Sequence, residues 1–145
     1  MKILVINGPN INMLGVREPE IYGKETYINL VEKIEKYAKD NWVEVKCFQS
    51  NHEGDIIDKL HEKGFSTNGI ILNAGAYTHT SLAIADAISA INSPVIEVHI
   101  SNINARDEFR KTSVIGPVCR ASIAGFGRYS YILGMDGLIR LLSEE

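Results

Sequence analysis

Apolar residues along this chain keep two alternating rhythms. Ile3-Leu4-Val5-Ile6 is a short continuous apolar run, the pattern of a strand buried on both faces. Thr26 then stands as an N-cap, and Tyr27, Leu30, Val31, Ile34, Tyr37 and Ala38 recur at helical spacing. That is the stripe of an amphipathic helix, with Glu32, Lys33, Glu35 and Lys36 left to solvent. Val43 to Phe48 alternates as a second strand, and Asp55 to Lys63 reads as a second helix closed by Gly64 as its C′ glycine. Gly69 to Asn73 is a buried third strand and Ser81 to Ile91 a third helix. Val95 to Val98 is the fourth strand, Ala121 to Ala124 lies in the fifth, and Tyr129 to Leu142 forms a closing helix.

Strands that alternate with helices in this way predict a doubly wound α/β fold, a parallel sheet with helices on both faces. Five strands in so short a chain suggest a flavodoxin-like three-layer sandwich of strand order 2-1-3-4-5 with right-handed crossovers. In that order the loops after strands 1, 3 and 4 converge on one crevice at the C-terminal ends of the strands, where open α/β sheets bind ligands. No linker, repeat or low-complexity stretch divides the chain, so residues 1–145 are expected to form a single domain.

Composition narrows the function classes. The 145 residues are 45% apolar and 23% charged, which fits a soluble globular protein. The apolar start lasts four residues, too short for a signal-peptide core or a membrane span, so a cytoplasmic protein with no membrane partner is expected. A net charge of −3 without a basic stripe argues against nucleic acid as a partner. Cys47 and Cys119 show neither CxxC nor framework spacing and read as reduced, partly buried thiols in strand-like runs.

The polar residues gather at the predicted strand ends. Glu97-Val98-His99-Ile100-Ser101-Asn102 places a carboxylate, an imidazole, a hydroxyl and an amide within six residues at the end of the fourth strand. Beyond it, Arg106 and Arg110 are four apart and would share a face if that segment is helical, with a surface ion-pair helix involving Asp107 and Glu108 as the plain alternative. After strand 1, about eighteen residues carrying Asn7-Gly8-Pro9-Asn10, Arg17 and Tyr22 form a loop far longer than a usual βα connection, as lids and binding loops do. After strand 3, Asn73-Ala74-Gly75-Ala76-Tyr77-Thr78-His79 supplies small residues that let a ligand approach the backbone, and Thr80 or Ser81 caps the next helix. Taken alone, His79 is better explained by capping or packing.

Several motifs are missing from the sequence. It has no Walker A loop, no GxGxxG after strand 1, no Ser/Thr-rich phosphate loop and no GxSxG elbow. His79 and His99 have no companion at a metal-ligand spacing, and neither Lys24 nor Lys111 has the apolar flanks of a Schiff-base lysine. The reading is a site without metal or cofactor, made of Tyr, His, Asn and Arg. Such a set suits proton abstraction next to a carbonyl with stabilisation of the enolate.

These loops together resemble the type II 3-dehydroquinate dehydratase family, over nearly the whole chain. The resemblance is carried by Asn7-Gly8-Pro9-Asn10, Leu14-Gly15, Arg17-Glu18-Pro19, Tyr22-Gly23, Gln49-Ser50-Asn51, Glu53-Gly54, the stretch from Asn73 to Ser81, the stretch from Glu97 to Asn102, Arg106 and Glu108-Phe109-Arg110. It implies a flavodoxin-like fold, no cofactor, and a homododecamer built as a tetramer of trimers. The implied reaction is the shikimate-pathway step that converts 3-dehydroquinate to 3-dehydroshikimate by anti elimination of water.

By motif match, the resemblance makes Tyr22 the base that removes the C2 proton. A phenol of pKa near 10 is only about 0.1% ionised at pH 7, a deficit of roughly 4 kcal/mol. Arg17 would favour the phenolate, with Arg106 adding to its field. Asn10 would stabilise the enolate oxygen, and His99 would protonate the leaving C1 hydroxyl while Glu97 orients the imidazole. Asn73, Ser101 and the Ile100 backbone N–H would hold the substrate carboxylate, and His79 and Arg110 the ring hydroxyls. Asp86 would contribute across a trimer interface. Two positions depart from the family pattern: Ala85 stands where arginine is frequent, and Asn104 where an aromatic residue or histidine is. Neither is assigned a chemical role. The rival readings are the same reaction in quinate breakdown, a degenerate homologue kept for structure, and a non-catalytic binding module such as a flavin carrier. The degenerate homologue would have lost one of Tyr22, Arg17 or His99, and the flavin carrier needs the missing phosphate loop.

Overall fold

The computed structural model describes residues 1–145 apart from the side chain of Tyr22. In chain order its main elements are β1 (Lys2–Asn7), α1 (Pro19–Tyr22), α2 (Tyr27–Asp40), β2 (Glu44–Gln49), α3 (Glu53–Lys63), β3 (Gly69–Asn73), α4 (Leu82–Ala90), β4 (Val95–His99), β5 (Ala121–Ala124) and α5 (Tyr129–Glu144). All strand pairs are parallel, and the sheet order is β2-β1-β3-β4-β5, as the alternation predicts.

Strand alternation decides the layering. Ile3 and Val5 of β1 and Ile71 of β3 pack on one side with Leu30 and Ile34 of α2 and Met135 and Leu138 of α5. Leu4, Ile6, Ile70 and Leu72 pack on the other side with Ile56 and Leu60 of α3 and Ile84 and Ile88 of α4. Two helices therefore cover each face; β1 and β3 carry unbroken apolar runs, and β4 is buried along its whole length although it includes Glu97 and His99. β2, at the edge, alternates instead.

The helix starts follow their capping chemistry. The Thr26 hydroxyl accepts from the Asn29 N–H while the Asn29 side chain accepts from the Thr26 N–H, a reciprocal capping box. Of the two candidates before α4, Ser81 is the cap, accepting from the Ile84 N–H at 3.0 Å.

Three local expectations are corrected. Gly64 closes α3 with φ −67°, not in the left-handed region. Glycine is needed there for space, since a Cβ would lie 2.4 Å from Ile91 Cγ2 and 2.5 Å from the Leu60 carbonyl oxygen. Arg106 and Arg110 do not share a helix: Arg106 is extended, between the 3-10 turns Ile103–Ala105 and Glu108–Arg110. Cys119 precedes β5 instead of lying within a strand.

The register brings the strand ends level. Asn7 of β1 pairs with Gln49 of β2 and Asn73 of β3, Leu72 of β3 with Glu97 of β4, and His99 of β4 with Ala124 of β5. The loops after β1, β3 and β4 consequently leave the sheet side by side.

Candidate active site

Residues two apart on a strand point to the same face, so Glu97 and His99 stand together at the end of β4. His99 Nε2 lies 2.6 Å from Glu97 Oε1, with the two residues 6% and 1% exposed. A carboxylate accepts, so the proton of this bond belongs to Nε2 and Nδ1 is left to the cleft that His99 lines. The other carboxylate oxygen, Oε2, accepts from the Ser113 hydroxyl at 2.8 Å. Ser113 Oγ in turn accepts from the Gly116 N–H at 2.8 Å. The buried carboxylate is thus bonded through both oxygens, as a group removed from water must be.

The loops after β1 and β3 interlock through glycines. The Gly8 N–H donates to the Asn73 carbonyl at 2.7 Å, and a Cβ on Gly8 would come within 2.6 Å of the Ala74 carbonyl oxygen. Gly75, at φ +60°, faces the Pro9 carbonyl in the same way. Asn10 is itself left-handed, at φ 68°, and its N–H donates to Asn51 Oδ1 at 3.0 Å. Gln49 Nε2 donates to that same Asn51 oxygen and to the Gly8 carbonyl.

Asn73 is held at both ends of its amide. Its Oδ1 accepts from the Gly75 N–H at 3.1 Å, and its Nδ2 donates to the Tyr131 hydroxyl at 2.8 Å. Tyr131 then donates to Asn7 Oδ1 at 2.5 Å. Burial pushes the Tyr131 phenol far above its ordinary pKa, so it stays neutral and acts as both donor and acceptor.

Past Asn10, the chain between β1 and α2 leaves through a pinch. A Cβ on Gly15, at φ +84°, would lie 2.7 Å from the Lys24 carbonyl oxygen, so the two roots of the intervening loop touch. Between them lie Arg17, whose Nη2 is 3.9 Å from Glu18 Oε1, and α1. Tyr22 ends α1, and its side chain lies outside the described part of the structure.

One open cleft, about 680 Å³ including its mouth, collects most of the sequence-predicted residues. The β1 loop contributes Asn10 and Arg17, the β3 loop Asn73 and His79, and the β4 end His99, Ile100 and Ser101. Arg106 and Arg110 close it from the following segment, with Arg106 Nη1 donating to Ser101 Oγ at 3.3 Å. His79 Nδ1 donates to the Thr112 carbonyl at 2.7 Å, which turns Nε2 away from that carbonyl. Glu97 sits behind His99 and not in the lining, and Asp86 is exposed on α4, outside the lining altogether.

The lining has a clear electrostatic sign. Among the described residues it carries three guanidinium groups and two imidazoles, and no aspartate or glutamate. In a chain of net charge −3 this is a local excess of cations, fitted to a small polar anion. Among the described residues no three His, Cys, Asp or Glu side chains come together as a metal-holding group, and no helix is long and apolar enough to cross a membrane.

Sequence reasoning missed Ser113 and Tyr131. Ser113 reaches Glu97 across sixteen positions with no motif to announce it. Tyr131 looks like one more apolar-stripe residue of α5, and its partners stand 58 and 124 positions away.

Comparison with known proteins agrees with this geometry. The family described as dehydroquinase class II matches residues 1–139. The 3-dehydroquinate dehydratase of Sulfurimonas denitrificans is 56% identical over 144 residues, 99% of this chain and 90% of that protein. Its counterpart from Thermotoga neapolitana is 53% identical over 145 residues, 100% of this chain and 99% of that one. The crystal structure of the type II dehydroquinase from Butyrivibrio crossotus has a TM-score of 0.94 to this chain at 55% identity, covering 96% and 97% of the two chains.

Proposed function

This chain belongs to the class II dehydroquinase family, and from that premise we propose that it is a 3-dehydroquinate dehydratase, a hydro-lyase of the shikimate pathway. The observation that carries the reading is the cationic cleft, without aspartate or glutamate among its described lining residues, that His99 lines with Glu97 behind it. The substrate is a carboxylate with a ketone and ring hydroxyls, and each group has a counterpart among the residues gathered there.

Tyr22, as phenolate, takes the proton from C2. The electron pair left on C2 delocalises onto the C3 ketone oxygen, and Asn10 stabilises the enolate that forms. As the enolate collapses, the C1–O bond breaks and a proton held on Nδ1 of His99, the nitrogen left to the cleft, passes to the departing oxygen, which leaves as water; C1 and C2 become the double bond of 3-dehydroshikimate. Glu97 fixes the imidazole in place for that transfer. Arg17 favours the phenolate, and Arg106 strengthens the same field. Asn73, Ser101 and the Ile100 N–H receive the carboxylate, and His79 and Arg110 the ring hydroxyls. Asp86, outside its own cleft, acts in a neighbouring subunit's site. The enzyme works as a cytoplasmic homododecamer, a tetramer of trimers, with residues 1–145 of each chain as one catalytic domain and no cofactor.

The test follows the conjugated enone of the product by ultraviolet absorbance, with purified protein and 3-dehydroquinate and no added metal or cofactor. Wild-type protein should generate the enone before and after borohydride treatment, and Tyr22→Phe should lower kcat by about 10²–10⁴-fold. A folded wild-type protein that produces no enone would overturn the assignment. Tyr22→Phe with unimpaired kcat would overturn the tyrosine base alone.

A further inference from the structure

The hydrogen-bond chain beneath Asn73 has a direction, and it comes from elements remote in sequence. The Gly75 N–H, in the turn after β3, takes Asn73 Oδ1, so the amide nitrogen must point the other way. There it donates to the Tyr131 hydroxyl from α5, whose own proton goes to Asn7 Oδ1 at the end of β1. All three side chains are buried. Each bond fixes the next: Asn7 offers oxygen, so Tyr131 must donate to it; Tyr131 then has only lone pairs for Asn73, so Asn73 must present nitrogen.

The other end of the Asn7 amide fits the same direction. With Oδ1 on Tyr131, the buried Nδ2 is left facing the Tyr27 phenol. Burial raises the Tyr27 pKa and the Asn7 amide opposes that rise, as a donor does, so the nitrogen belongs on that side and the oxygen on Tyr131.

At the cleft the outcome is specific. Asn73 has spent one Nδ2 hydrogen on Tyr131 and its Oδ1 on Gly75, so its second Nδ2 hydrogen remains for the cleft it lines. We infer that Tyr131 and Asn7 are positioning residues that lock Asn73 as a hydrogen-bond donor toward an anionic oxygen of the substrate. This rests on the proposed dehydratase reading, in which that oxygen belongs to the carboxylate. Reversing the chain would aim the amide oxygen at the anion and replace attraction with repulsion.

The test is a kinetic cycle on the enone assay. Tyr131→Phe keeps the ring in the core and removes only the hydroxyl. It should raise KM by about tenfold with kcat within about twofold of wild type, the signature of lost binding common to ground and transition states. In an Asn73→Ala background the same substitution should change KM by less than about twofold, because Tyr131 acts through Asn73. A purely structural role for Tyr131 would lower Tm and the active fraction, hence apparent kcat, and leave KM alone. An unchanged KM in Tyr131→Phe, or a full tenfold effect persisting in Asn73→Ala, overturns the inference. If Tyr131→Phe does not fold, Asn7→Ala serves in its place: the hydroxyl then has no acceptor at β1, and the same rise in KM is expected. A folded Asn7→Ala protein with wild-type KM also overturns it. Wild-type protein without activity would instead be a failure of the dehydratase reading, which the first assay reveals separately.

Discussion

His99 and Arg17 line one cleft from opposite kinds of scaffold. His99 ends a strand whose five residues are all buried, and its carboxylate partner bonds a serine on its far side. Arg17 belongs to a loop that leaves the sheet through the Gly15–Lys24 pinch and keeps about a third of its side chain exposed, at 34%. The first scaffold fixes geometry through packing, and there chemistry and stability share the same atoms. The second carries little of the core, so its residues are free to serve chemistry alone. A substitution at the strand end should therefore damage both properties, and one in the loop only activity.

The largest effect expected is at His99. His99→Leu removes the proton donor and leaves Glu97 Oε1 buried with no partner among the described residues. The assay should show kcat/KM lower by about 10²–10⁴-fold. Urea unfolding should show a stability loss of about 1–3 kcal/mol, the cost of an orphaned buried acceptor. Full stability with lost activity would mean that the dyad is not tied to the core, and the comparison would fail on its first side.

Arg17→Met tests the other side. An opposite charge near a phenol favours the phenolate, so losing the cation should lower kcat/KM by about 10²-fold at neutral pH. The sign is fixed: without the cation the phenol's pKa rises, so the variant should regain rate relative to wild type as pH increases. Its unfolding free energy should stay within about 0.5 kcal/mol of wild type. A variant that unfolds as readily as His99→Leu would show that the loop is part of the structural unit.

The same contrast explains what could be read from the sequence. Strands buried on both faces carry apolar runs, so β1, β3 and the start of β4 are visible in the sequence, and the polar residues within or at the ends of these strands stand out as needing a purpose. Glu97, His99 and Asn73 are legible for that reason. Arg106 and Arg110 are legible as a pair, yet their four-residue spacing suggests a helix where the chain makes two 3-10 turns around an extended Arg106. Gly64 looks like a left-handed cap and is instead a point of contact with Ile91 and the Leu60 carbonyl. Ser113 and Tyr131 leave no local trace, because their importance comes from atoms brought near them by the fold.

Ser113 offers the smallest effect and the finest division between the two scaffolds. Its hydroxyl does two things: it donates to Glu97 Oε2 and accepts from the Gly116 N–H, closing the turn Gly116–Val118. Ser113→Ala should therefore cost about 1 kcal/mol of stability, a typical net hydrogen-bond contribution. It should lower kcat/KM by a few-fold to about tenfold, since Glu97 still holds His99 through Oε1 but loses its anchor behind. Glu97→Gln separates these two parts. In that background Nε2 must serve as carboxamide oxygen's donor or lose its partner, and the anchor no longer governs a carboxylate, so adding Ser113→Ala should leave kcat/KM within about twofold while keeping its stability cost from the Gly116 turn. If the activity effects instead multiply independently, Ser113 acts on the cleft by another route, and the strand-end scaffold reaches no further than Glu97 itself.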